Sequence, residues 1–156
     1  MNRTSAAVVA SLVVLVSFAP SVGAQVKTHI MVTPAELKWI DVPSLPAGIK
    51  LAAIEGKLNA IEPFTFRLKL PANYQVPAHW HPTIEHVTVI SGTINMGMGD
   101  VLDKSRTTPL TAGSVAIMQP KTNHYVWTSE EAIVQIHGIG PWGITYVNPA
   151  DDPRKK

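Results

Sequence analysis

The 156-residue chain is 46% hydrophobic and 15% charged, with 13 basic residues, 11 acidic residues and no cysteine. That length suits one domain with a sizeable core, and a near-neutral balance without a basic run, apart from the terminal Arg154-Lys155-Lys156, argues against nucleic-acid binding. Without cysteine, disulfides, thiolate chemistry and cysteine-ligated zinc are excluded, so the core alone must hold the fold.

Residues 1–24 read as a secretory signal peptide. Asn2-Arg3 supplies the positive start, Ala6 to Ala19 is apolar, and Pro20-Ser21-Val22-Gly23-Ala24 offers small residues for cleavage after Ala24. The apolar run is shorter than the roughly 20 residues of a spanning helix, which disfavours a membrane anchor. Loss of Arg3 leaves 12 of the 13 basic residues against 11 acidic ones. The mature chain, from Gln25, is expected to be periplasmic or secreted and free of the membrane.

Residues 25–49 form an N-terminal extension. Thr33-Pro34-Ala35-Glu36 has the capping residues of a short helical turn, Trp39 to Val42 suggests an edge strand, and Pro43 to Gly48 reads as loop. Residues 50–147 carry the strands, at 8–12-residue spacing with turn residues between, which indicates an all-β sandwich or barrel. Lys50 to Glu55 is the first of these. Phe64 to Leu70 alternates apolar and polar, with Phe64, Phe66, Leu68 and Leu70 inward. Further strands are expected over Pro77 to His81, His86 to Ile90, Thr93 to Met98, Ser114 to Met118, His124 to Thr128 and Ala132 to Ile139. Asp100 to Pro109 reads as loop, and residues 148–156 as a frayed tail.

The chemistry concentrates in Pro77-Ala78-His79-Trp80-His81-Pro82-Thr83-Ile84-Glu85. Alternate residues of a strand share a face, so His79 and His81 point the same way with Cα atoms roughly 6.7 Å apart. Two imidazoles at that spacing can converge on one ion. Glu85 keeps their parity, and His124 is the candidate third histidine. The competing reading is a pair of surface histidines.

The spacing His79-x-His81-x3-Glu85-x6-Gly92, followed by Gly113-x10-His124, resembles the two-part signature of the cupin family. The resemblance covers about residues 50–140. Asn73 stands at the leading glycine position and tolerates left-handed backbone. In the second motif Gln119 replaces the proline, Lys121 the glycine and Thr128 the asparagine. The tryptophan between the histidines is also similar to the ChrR-type cupin domains of anti-sigma factors, although export argues against that regulatory role.

The resemblance implies a jelly-roll (double-stranded β-helix) barrel around one divalent transition metal (Fe, Mn, Ni, Cu or Zn), held by His79, His81, Glu85 and His124. It also implies a homodimer. Glu85 is the candidate catalytic base. Phe66, Met96, Met98, Gln135 and His137 are candidates for lining a substrate pocket, with ordinary core or surface positions as the alternative. The function expected is a metal-dependent, dioxygenase-like enzyme acting on a small organic substrate, or else a non-catalytic module binding a sugar or carboxylate.

Overall fold

The computed structural model describes residues 29–156, so the signal-peptide reading of residues 1–24 lies outside the described residues. The described chain forms eleven strands: β1 (Ile40–Asp41), β2 (Lys50–Glu55), β3 (Pro63–Leu70), β4 (Gln75–Trp80), β5 (Glu85–Ser91), β6 (Thr93–Met98), β7 (Thr107–Thr111), β8 (Val115–Met118), β9 (His124–Trp127), β10 (Ala132–Ile139) and β11 (Thr145–Tyr146). They build two antiparallel sheets. One has the order β1-β2-β3-β10-β5-β8 and the other β11-β4-β9-β6-β7. Neighbours far apart in sequence pair, as in a jelly roll, and the two inner faces pack to make the core.

Alternation decides which side chains enter that core. Phe64, Phe66, Leu68 and Leu70 of β3 are all buried, as the sequence pattern predicts. On β10 the inward residues are Ala132, Val134 and Ile136. Each fully buried Val, Leu or Phe contributes roughly 1.5–3 kcal/mol.

Two expectations change in the structure. Residues 107–109, read as the end of a loop, belong to strand β7, with Pro109 inside it. β7 is the edge of its sheet, where a proline with no amide to donate is tolerated. Residues 148–156 are not frayed. They make two 3₁₀ turns, and Arg154 reaches the Ile144 carbonyl while pairing with the Asp152 carboxylate. The Pro43–Gly48 loop is pinned by the hydroxyls of Tyr74, on Pro46, and Tyr146, on Ser44, and it buries Leu45 in the core. The capping box at Thr33 forms as expected, with the Thr33 amide and hydroxyl both donating to Glu36.

Two motif substitutions prove compatible with the turns. Asn73 (φ 57°) and Lys121 (φ 59°) both occupy the left-handed region where glycine is usual. The amide of Lys121 donates to the carbonyl of His81 at 2.8 Å, so this turn ties the end of β4 to the approach to β9. Thr128 is buried and spans another turn, donating its hydroxyl to Pro71 and accepting from the Tyr74 amide.

Candidate metal centre

Strict alternation from Val76, which is buried, would point His79 outward. Instead β4 has a register irregularity against β9 between Val76 and His79, and both Ala78 and His79 are buried. A bulge inserts one residue and re-aims the side chains beyond it. Pro77 lies inside it, which is how an interior strand accommodates proline. His79 then stands opposite His124 on β9, and His81 comes just past the end of β4.

All three imidazoles are buried, at 4%, 4% and 2% exposure for His79, His81 and His124. Their ring centroids are 4.2 Å (His79–His124), 5.0 Å (His79–His81) and 5.2 Å (His81–His124) apart. One ligand nitrogen from each lies within 4.8 Å of the others.

Backbone carbonyls set the tautomers. His79 Nδ1 meets the Pro77 carbonyl at 2.7 Å, His81 Nδ1 the Gly143 carbonyl at 2.7 Å, and His124 Nδ1 the Thr122 carbonyl at 3.0 Å. A carbonyl can only accept, so each Nδ1 carries the hydrogen and donates it, and each Nε2 keeps its lone pair. The same arrangement orients metal-ligating histidines generally. Burial lowers the pKa of all three rings, His79 well below the ordinary value and His81 down to about 4, with neighbouring imidazoles adding to the effect on His79 and His124. At neutral pH they are therefore uncharged donors that need lose no proton to bind an ion. By these criteria the three histidines fit a divalent metal.

Glu85 opens β5 and is 3% exposed. One oxygen is 3.4 Å from His81 Nε2, and the other accepts a 2.8 Å hydrogen bond from the Trp142 indole. Burial raises its pKa, while the indole N–H and the charge interaction with His124 oppose that rise. The carboxylate stands beside the histidine triangle, next to His81, rather than within it.

Trp142 is the residue that sequence reasoning missed. It lies in the segment between β10 and β11, stacks on the His81 ring at 5.3 Å and meets Phe66 edge-on at 4.9 Å. Its only sequence signal was a large aromatic in a Gly140-Pro141-Trp142-Gly143 stretch, which reads as a strand break. Gly143, beside it, supplies the carbonyl that orients His81.

The histidines and Glu85 form the polar wall of an interior cavity of about 50 Å³ whose other walls are apolar, among them Leu68, Val87, Ile136 and Leu45 of the N-terminal loop. Of the residues expected to line a pocket, Met96 does so. Phe66 is fully buried in the core behind Trp142, outside the cavity lining. Met98 pairs with His124 across the strands but its side chain is exposed. Gln135 and His137 are corrected: Val134 and Ile136 take the inward positions of β10, so their neighbours face out, where Gln135 accepts a hydrogen bond from Arg67.

The cupin-domain family model matches residues 66–138, which contain both motifs. These residues form a cupin domain. Among solved structures the cupin resembles the polyketide cyclase RemF from Streptomyces resistomycificus, with 14% identity and a TM-score of 0.66 over 82% of this chain and 92% of that one. A candidate acetylacetone dioxygenase from Methylibium petroleiphilum matches with 16% identity and a TM-score of 0.63, over 85% and 89% of the two chains. An RmlC-like cupin from Shewanella frigidimarina matches with 15% identity and a TM-score of 0.56, over 71% and 89%. At these identities the likeness concerns the double-stranded β-helix fold. No curated protein matches the chain at a significant level.

Proposed function

We propose that this cupin is an exported, metal-dependent enzyme of dioxygenase-like chemistry acting on a small, largely apolar organic substrate. The observation that carries the reading is the set of three neutral histidines, each held by a backbone carbonyl through Nδ1, offering Nε2 lone pairs into an apolar cavity. His79, His81 and His124 would hold the ion, with Glu85 the adjacent carboxylate. When bound, a divalent transition metal supplies Lewis acidity and, if redox-active, access to dioxygen chemistry.

The protein's own contribution is positional. The carbonyls of Pro77, Thr122 and Gly143 orient the rings, Trp142 holds Glu85, and the apolar walls exclude water. Glu85, with its pKa raised by burial, is the carboxylate placed to pass a proton to or from a substrate beside the histidines. The leader-like N-terminus supports export. Exposed Val115 and Ile117 on the edge strand β8 support a homodimer that covers that edge.

The test is elemental analysis of protein purified from its own host, followed by chelation, reconstitution with single metals, and oxygen consumption across a panel of small organic acids, ketones and phenols. Turnover that is lost on chelation and restored by one metal is expected. Metal-loaded protein that neither consumes oxygen nor alters any panel member refutes the enzymatic reading. One observation favours a second, non-catalytic reading. The cavity of about 50 Å³ is small beside the roughly 300–1,000 Å³ of most small-molecule sites, so a ligand of a few atoms, such as a short carboxylate, fits it best. Thermal stabilisation by such a ligand without turnover would select that reading.

A further inference from the structure

The six-stranded sheet carries a row of chemically active side chains on its outer face. Strand register places Glu55 opposite Thr65, Thr65 opposite His137, and His137 opposite His86. Directly opposed residues share a face, with Cβ atoms about 4.5–5.5 Å apart in an antiparallel pair. His86 and His137 are stacked, their ring centroids 4.8 Å apart and their planes 10° from parallel. Together with Glu55 and Thr65 they line a groove of about 680 Å³, bordered by Pro82, Ile84 and Ile139. It is separate from the interior centre, because Glu85 on β5 faces in and its neighbour His86 faces out.

Two observations point to a ligand. His86 Nδ1 is buried and has no hydrogen-bond partner, a state that costs free energy unless something fills it. Unlike the three interior histidines, neither ring of the outer pair is oriented by a carbonyl. Second, Glu55 forms no ion pair among the described residues. It stands two strands from His137, about 10 Å at the Cα atoms, with Thr65 paired to both in the register.

We propose that His86, His137 and Glu55 form a second, external site for a divalent ion of borderline softness, Zn²⁺, Ni²⁺ or Cu²⁺. Imidazole nitrogens suit those ions over Mg²⁺ or Ca²⁺. His137 is exposed, and its χ2 torsion is soft, so its ring can turn from the stacked pose to present a nitrogen beside that of His86. Glu55 then reaches over Thr65 as third ligand. An ion there staples β5 to β10 one residue away from Glu85.

The experiment uses the mature protein with its interior centre loaded, titrated with Zn²⁺ by calorimetry and with Cu²⁺ by electron paramagnetic resonance. A second bound ion is expected, with nitrogen hyperfine structure from two imidazoles. His137→Ala, an exposed position that leaves the core intact, should weaken that ion by roughly tenfold or more and remove the hyperfine pattern, leaving the first ion unchanged. Glu55→Gln should weaken it severalfold, and an unchanged affinity removes the carboxylate from the proposal. No ion sensitive to His137→Ala overturns the site. If the interior centre alone fails, the wild type binds one ion that is sensitive to His137→Ala and indifferent to His124→Ala, so the two proposals stand or fall separately.

Discussion

Replacing Trp142 with phenylalanine removes one hydrogen-bond donor while keeping an aromatic ring against His81 and Phe66. In the native fold the indole N–H donates to Glu85 at 2.8 Å, and Glu85 is 3% exposed. A hydrogen bond to a buried charged group contributes about 1.5–3 kcal/mol. The smaller ring also leaves a void, adding about 1 kcal/mol. Only the first contribution depends on the ionisation of Glu85. The indole N–H holds the Glu85 pKa down against burial, so its loss raises that pKa further. Above the raised range Glu85 is ionised in both proteins and the full difference, about 2.5–4 kcal/mol, is expected. As the pH falls through that range the carboxylate takes up its proton and the difference shrinks toward the void term. Urea denaturation of chelator-treated wild type and Trp142→Phe across a pH series measures both. A cycle with Glu85→Gln should return a coupling of about 1–2 kcal/mol. A destabilisation of equal size throughout the pH series, with no coupling to Glu85→Gln, refutes the assigned role of the indole.

The same histidine geometry predicts how the metal-free protein responds to acid. Buried, neutral imidazoles bind fewer protons than the unfolded chain, so stability falls as the pH drops below the unfolded value of about 6.5. For His81, whose folded pKa is about 4, the loss reaches about 3 kcal/mol by pH 4. His79 and His124 act in the same direction, and Glu85, shifted upward, opposes them over its own range. An unchanged urea midpoint between pH 7 and pH 5 contradicts this. His124→Ala should lower metal affinity by more than about a hundredfold, exceeding the loss typical of a supporting residue, as read by competition with a chromophoric chelator. Equal uptake by variant and wild type counts against the interior centre. Gly97→Ala would put a Cβ 2.3 Å from the ring of Tyr125, which is 1% exposed and has no room to retreat. A loss of about 1–3 kcal/mol is expected in thermal melts, and a neutral result would show that the β6–β9 pairing can shift.

Local physics made much of this protein readable from its residues alone. Alternation in Phe64–Leu70 is a property of one strand, and it identified both the strand and its buried face. Turn chemistry is equally local: Asn73 accommodates the left-handed backbone expected of it, and Lys121 does the same where glycine is usual. The histidine spacing named the three imidazoles that the fold assembles.

Other features depended on which strands become neighbours. On β10 both faces carry apolar residues, Ile133 and Ile139 on one and Val134 and Ile136 on the other, so alternation there does not single out the buried face as it does on β3, and Gln135 and His137 turned outward once Val134 and Ile136 met the core. The irregularity in β4 that turns His79 inward exists only as a register against β9. Trp142 reaches Glu85 across 57 residues of sequence, a separation over which no local pattern carries information. Residue order therefore determined most of the strands, the turns and the donor atoms. Tertiary packing determined which way those donors face and what holds them, because both are set by contacts between segments that meet only in the closed barrel.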